Sequence, residues 1–136
     1  MRLLVLREHS RAELRRKLQS KVEDITRLDP VLDSLESRNH LSDERFTEQY
    51  IASRKRKGFG PSRIRLELRE RGVDSTLAEE WLDERDEEWL QLLEEANCRK
   101  FGSDRPVDFK ERARRARFLE YRGFPPEMIR QALWRE

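Results

Sequence analysis

The sequence predicts an all-α protein: three tandem three-helix repeats forming an elongated, curved modular array. Three observations predict it. Apolar residues recur at helical spacing through most of the 136 residues, with no sustained alternation of apolar and polar positions. The pattern repeats with a period of about 50 residues, as solenoid-like arrays of helical modules do. Gly- and Pro-bearing breaks punctuate the pattern at Gly58-Phe59-Gly60-Pro61, at Gly72 and at Gly123-Phe124-Pro125-Pro126.

The repeat is clearest around the second helix of each copy. Leu14 and Leu18 in the first copy stand where Ile64 and Leu68 stand in the second; in the third, Leu119 takes the Leu68 place and Arg115 falls where Ile64 would be. After a short break each copy opens another helix, with apolar pairs Leu28 and Leu32, Leu77 and Trp81, and Ile129 and Leu133. These pairings place the repeats at 1–40, with a short opening helix, 41–85 and 86–136.

In chain order, residues 2–7 read as the end of a first helix. Ser10 and Glu13 form a capping box that starts the helix of Leu14 and Leu18. Pro30 is tolerated only in a first turn, so the next helix is expected from about 29 to 37. Asn39 and His40 close the unit, and Ser42 or Asp43 caps a helix that carries Phe46, Tyr50 and Ile51. Gly58 suits the left-handed position past a helix end and Pro61 the first position of the next, with Phe59 expected to plug the turn by packing. That next helix runs to Arg71 and stops at Gly72, and Asp74 or Ser75 begins the helix of Leu77, Trp81 and Leu82. A long helix over 86–101 opens the third repeat. Pro106 bars helix in the 102–107 linker, and helices follow from about 108 to 122 and on to Trp134.

Composition limits the function. With 35% hydrophobic and 43% charged residues and a net charge of +2, narrow shared cores fit better than one deep core. The periodic apolar residues argue against disorder of the whole chain. Met1 to Leu6 is too short for a signal peptide, and no apolar run approaches the roughly 20 residues of a membrane span. Cys98 is the single cysteine, so no internal disulfide forms. A soluble, cytoplasmic monomer is expected. His9 and His40 lack the spacing of a zinc site, no glycine-rich phosphate loop is present, and Cys98 has no neighbouring base and is expected to be a small packed residue. No enzyme activity, metal or cofactor is expected. Trp81, Trp89 and Trp134 fall at helical positions shared with leucine, which favours core packing.

The near-zero net charge hides blocks: +5 over 1–21, −5 over 22–49, +6 over 50–71, −9 over 74–95 and +5 over 96–136. Pairing of opposite signs between helices accounts for much of this. The run Arg54-Lys55-Arg56-Lys57 with Tyr50, Phe59 and Arg63 also fits a mixed basic and aromatic binding surface. Arg11, Arg15, Arg112 and Arg115 on the matching helices complete the candidate partner-binding set.

The block LSDERF, Tyr50, Arg54-Lys55-Arg56-Lys57-Gly58-Phe59-Gly60-Pro61, Arg63-Ile64 and Leu68-Arg69-Glu70-Arg71-Gly72-Val73-Asp74 resembles the central repeat of the RecX family of bacterial recombinase regulators. REHSRAELRRKL and ARFLEYRGFPPEMIRQAL resemble that family's first and last repeats, with Val22-Glu23 in place of the usual glycine-aromatic break of the first. The resemblance implies tandem three-helix modules that bind in the groove of a RecA filament on single-stranded DNA. It implies inhibition of ATP hydrolysis, strand exchange and LexA self-cleavage, without an active site, and hence a role in DNA repair and the SOS response. It supplies no contact residues, and direct contact with single-stranded or duplex DNA stays open. A sequence-independent DNA-binding helical protein and a non-catalytic adaptor are the alternative classes. Against base reading, Asn39 and Asn97 are the only asparagines and lie outside the basic helices.

Overall fold

The computed structural model describes residues 7–134, which form helices joined by short breaks, with no strand among them. The eight α-helices among the described residues are α1 Arg11–Gln19, α2 Leu28–Ser37, α3 Asp43–Arg56, α4 Pro61–Glu70, α5 Ser75–Trp81, α6 Glu87–Phe101, α7 Phe109–Tyr121 and α8 Pro126–Leu133, with a 3₁₀ turn at Ile25–Arg27 before α2. The expected helix end at residues 2–6 lies outside the described residues, and Arg7 is in a bend. The backbone falls into two compact units. One holds the described residues up to Tyr50 with Glu67–Trp81; the other holds Ile51–Leu66 with the described residues from Leu82 onward.

Caps set the helix starts as the sequence suggests. Ser10 Oγ accepts from the Glu13 amide and the Glu13 carboxylate accepts from the Ser10 amide, completing the capping box of α1. Ser42 Oγ accepts from the Arg45 amide, while Asp43 accepts from the Arg11 amide instead. Asp74, Asp86 and Asp108 cap α5, α6 and α7. Pro30 sits in the first turn of α2.

In the first unit Leu14, Leu28, Leu32 and Leu41 form a buried cluster on which Leu18, Val22 and Leu35 pack. In the second unit Ile64, Leu82, Trp89, Leu93, Leu119, Phe124, Ile129 and Leu133 are buried. Four expectations about packing need correction. Trp81 and Trp134 are 37% and 38% exposed, so of the three tryptophans only Trp89 is core. At α5 the buried positions are Ala78 within the helix and Leu82 just past its end, one place along from Leu77 and Trp81. Counting from Gly72 and Gly123 puts Ala78 and Leu82 level with Ile129 and Leu133, and the small Ala78 gives no apolar signal beside its larger neighbour. Cys98 is exposed; Phe59 is half-buried, with three guanidinium groups over its ring.

The glycines at 72 and 123 do equivalent work in the two units. Each follows a helix with positive φ, 77° and 97°, and the next two amides close on the helix's last carbonyls: Gly72 to Arg69 and Val73 to Leu68, Gly123 to Glu120 and Phe124 to Leu119. A Cβ at Gly72 would stand 2.3 Å from Ala12 Cβ, and one at Gly123 would stand 2.2 Å from Arg63 Cβ and 2.7 Å from its backbone nitrogen. An earlier helix thus seats on each glycine. The seating is locked by donors to equivalent carbonyls, since Ser10 Oγ donates to the Arg71 carbonyl at 2.7 Å and the Gly60 amide donates to the Arg122 carbonyl at 2.8 Å. Val22 occupies the corresponding place in the first repeat and turns into the leucine cluster instead.

His9 is buried beside this lock. Its Nδ1 donates to the Arg7 carbonyl and its Nε2 accepts from Lys17 Nζ at 3.0 Å, the neutral tautomer that an ammonium neighbour dictates. Burial, with the charges of Arg7 and Lys17, holds its pKa below the ordinary value of about 6.5, against the opposing pull of the Arg7 carbonyl and Glu13. Between the lowered folded value and 6.5 the unfolded chain binds more protons, so this contribution is complete above about pH 6.5 and is lost as pH falls through the folded value. The melting temperature should therefore drop on going from pH 7.5 to 5.5, and His9→Gln should flatten that slope. An unchanged slope in the variant would show that His9 is not its source.

Candidate partner-binding surface

The basic run ends α3. Helix α3 stops at Arg56, Gly58 takes a φ of 86°, and the Phe59 amide reaches back to the Arg54 carbonyl at 3.1 Å. This turn lays the Phe59 ring among three guanidinium groups, Arg54 at 3.8 Å, Arg63 at 4.7 Å and Arg122 at 4.8 Å from its centroid. Like charges that share one quadrupole need fixed positions to be held together. Arg63 donates to the Tyr121 carbonyl and lies over the Tyr121 ring; Arg122 donates to the Lys57 carbonyl and lies over Phe118. Phe59 is thus the hub of a cationic cluster, and Tyr121 stands 73% exposed at its margin.

Beside the hub, a cavity of about 150 Å³ is lined by Lys57, Arg99, Lys100, Arg122 and Phe118, with Gly58 and Ala96. Four cations and no carboxylate line it. Such a recess concentrates positive potential and suits a phosphate or carboxylate oxygen.

The remaining candidates are distributed differently. Arg56 and Lys57 are exposed at the end of α3, while Lys55 pairs with Glu88 and lies over Trp89 at 4.7 Å. Tyr50 belongs to the other unit: its ring stacks on Phe46, Arg71 lies over it at 4.7 Å, and its hydroxyl donates to Glu67. Arg11 pairs with Asp33 at 2.8 Å and with Asp29 and Glu36, and Arg15 pairs with Asp29. Their charge is compensated within the first unit, as helix-to-helix pairing anticipates. Arg112 is half-buried and its Nε is a buried donor with no partner among the described residues. Arg115 is 4% exposed and bonded to Glu111 at 3.2 Å. It stands at the Ile64 place in the repeat, with its guanidinium in the wall of a recess between α6, α7 and α8.

Sequence reasoning passed over Arg99, Lys100, Tyr121 and Arg122. For Arg122 a signal existed, since Arg71-Gly72 and Arg122-Gly123 are the same step of the repeat and both arginines lie over an aromatic ring. Arg99 and Lys100 look like ordinary basic residues in the last turn of a helix. Among the described residues, no group of three or more His, Cys, Asp or Glu could hold a metal ion, and no helix is long and apolar enough to cross a membrane.

Comparisons with known proteins accord with this architecture. Residues 42–82 match the family model for the second three-helix domain of RecX, and residues 86–133 match that for the third. The regulatory protein RecX of Pseudomonas syringae pv. tomato is 43% identical over 133 residues, 98% of this chain and 86% of that protein. That of Pseudomonas entomophila is 44% identical over the same shares. The crystal structure of RecX from Lactobacillus salivarius superposes with a TM-score of 0.79 at 19% identity, covering 98% of this chain and 88% of that one. A second crystal structure of a regulatory protein RecX gives 0.81 at 16% identity, with 98% and 68% covered.

Proposed function

This chain belongs to the RecX family of regulatory proteins, and from that premise we propose that it binds the RecA recombinase filament on single-stranded DNA and restrains it. The reading takes the chain as a cytoplasmic, monomeric and non-catalytic regulator of three repeats, at 1–40, 41–85 and 86–136. It lowers the filament's ATP hydrolysis, strand exchange and co-protease activity, and through these it modulates DNA repair and the SOS response. Its working surface is the Phe59 hub with the adjoining cationic recess. Of the sequence candidates, Arg54, Arg56, Lys57, Phe59 and Arg63 belong to that surface; Arg99, Lys100, Tyr121 and Arg122 join it.

The observation that supports this placement is the recess itself, four cations with no carboxylate in the lining, while Arg11, Arg15 and Lys55 are engaged with acidic neighbours. The test is to change Lys57, Arg99 and Lys100 together to alanine, since all three are exposed and exposed charges contribute only about 0 to 1 kcal/mol each to folding. The wild type should slow ATP hydrolysis by a recombinase filament and hydrolyse nothing alone. The triple variant should melt as wild type yet need roughly tenfold more protein for the same inhibition, with a salt dependence shallower by about two in the log–log slope. Inhibition unchanged by the substitutions would remove the recess from the interface; filament hydrolysis unaffected even by the wild type would sink the regulator reading. Binding compared on bare single-stranded DNA, duplex and filament separates it from a plain DNA-binding protein, which would bind the naked nucleic acids as well as the filament.

A further inference from the structure

We propose that a second recess of the C-terminal unit, about 610 Å³ between α6, α7, α8 and the 102–107 linker, receives a glutamate or aspartate side chain presented by a protein partner. Its wall contains the buried guanidinium of Arg115. A guanidinium carries five N–H donors. Nε of Arg115 is taken by Glu111 and one face of the group rests on the Phe101 ring at 5.3 Å. No hydrogen bond to its Nη nitrogens occurs among the described residues. Glu111 is moreover shared with Arg114, which pairs with it at 3.4 Å. One carboxylate thus serves two guanidinium groups.

The same wall holds Arg112, whose buried Nε has no partner, and Asn97, whose buried Oδ1 has none among the described residues. The Arg112 Nε–H is a buried donor that costs free energy until an acceptor meets it, whereas Asn97 Oδ1 is itself an acceptor and is not met by a carboxylate. A planar carboxylate with two acceptor oxygens matches the guanidinium fork. Two features favour a carboxylate over a phosphate. Glu94 and Asp104 also line the recess, so a dianion would sit beside two negative charges. Leu90, Ala132 and Leu133 supply apolar wall for the residues flanking an acidic side chain in a peptide. This recess is separate from the cationic one beside Phe59, and its test involves no filament, so the failure of either reading leaves the other standing.

The experiment uses the full chain and three capped peptides, acetyl-Leu-Glu-Leu-amide, its glutamine analogue and its phosphoserine analogue. Side-chain Nε–H signals of Arg112 and Arg115 are followed by NMR. The glutamate peptide should shift both signals saturably at millimolar concentration and bind at least tenfold tighter than the glutamine analogue. Arg112→Gln should weaken it at least tenfold with no change in melting temperature. Arg115→Leu should fold and lose the response at Arg112, which keeps the test valid if one variant is perturbed. The proposal is overturned by the absence of a saturable shift, by equal binding of the glutamine peptide, by undiminished binding to Arg112→Gln, or by preference for the phosphoserine peptide.

Discussion

Gly123→Ala is expected to cost about 2–5 kcal/mol, a large share of the stability of a small domain. Two effects combine at this residue. Its φ of 97° lies where an L side chain is strained, at roughly 1–2 kcal/mol. Its new methyl would meet Arg63 Cβ at 2.2 Å and the Arg63 nitrogen at 2.7 Å, fixed atoms of a helix start that cannot swing aside, which adds about 1–3 kcal/mol of overpacking. Gly102 is the control, because its φ is 91° and nothing lies within 4 Å of the place a methyl would take; Gly102→Ala should show the backbone effect alone. Denaturant melts of both variants decide the matter, and equal losses would mean that the seating of α4 against Gly123 contributes nothing. The same displacement should disturb Arg63 and Arg122, so residual folded Gly123→Ala should also inhibit poorly.

The second large effect concerns the buried arginine at the Ile64 place. Removing Glu111, which is 25% exposed, leaves the buried Arg115 without its counter-ion, and Glu111→Ala is expected to cost about 2–4 kcal/mol, toward the lower end for a broken buried pair. Arg115→Leu should be neutral or stabilise by about 1–3 kcal/mol, because the residue stands where Ile64 stands and an apolar side chain needs no counter-ion. The double variant should then recover most of the loss from Glu111→Ala, a non-additivity that equilibrium unfolding of the four proteins measures directly. If Glu111→Ala changes stability by under about 0.5 kcal/mol, the pair is effectively solvated and the ordering fails.

That contrast also shows what was legible in the sequence. Position in the repeat put Arg115 level with Ile64, whereas charge alone put it among contact residues; it is buried as Ile64 is, while its guanidinium lines a recess. The helices, their caps and the breaks at Gly58, Gly72 and Gly123 were readable because each depends on neighbours within a few residues. The α5 register was not, since Ala78 is buried through smallness and Leu77 and Trp81 carry the louder apolar signal. The basic run was readable as a cluster, but its completion by Arg99, Lys100 and Arg122 depends on which helices meet, and that is set by the glycine seats rather than by local spacing. Arg11 and Arg15 show the converse, basic residues whose acidic partners lie 14 to 25 residues away.

The glycine seats give the repeats a direction. Each seat belongs to the later copy and is filled by the helix of the earlier one: Ala12 on Gly72, Arg63 on Gly123. The copies are therefore not interchangeable parts. Moving the first repeat behind the third would bring Val22 to a place where only a hydrogen fits, whereas a copy of the third could follow itself, carrying its own Gly123. Duplication could lengthen such a chain at its tail with existing code, while growth at its head would first require a glycine to be invented at position 22.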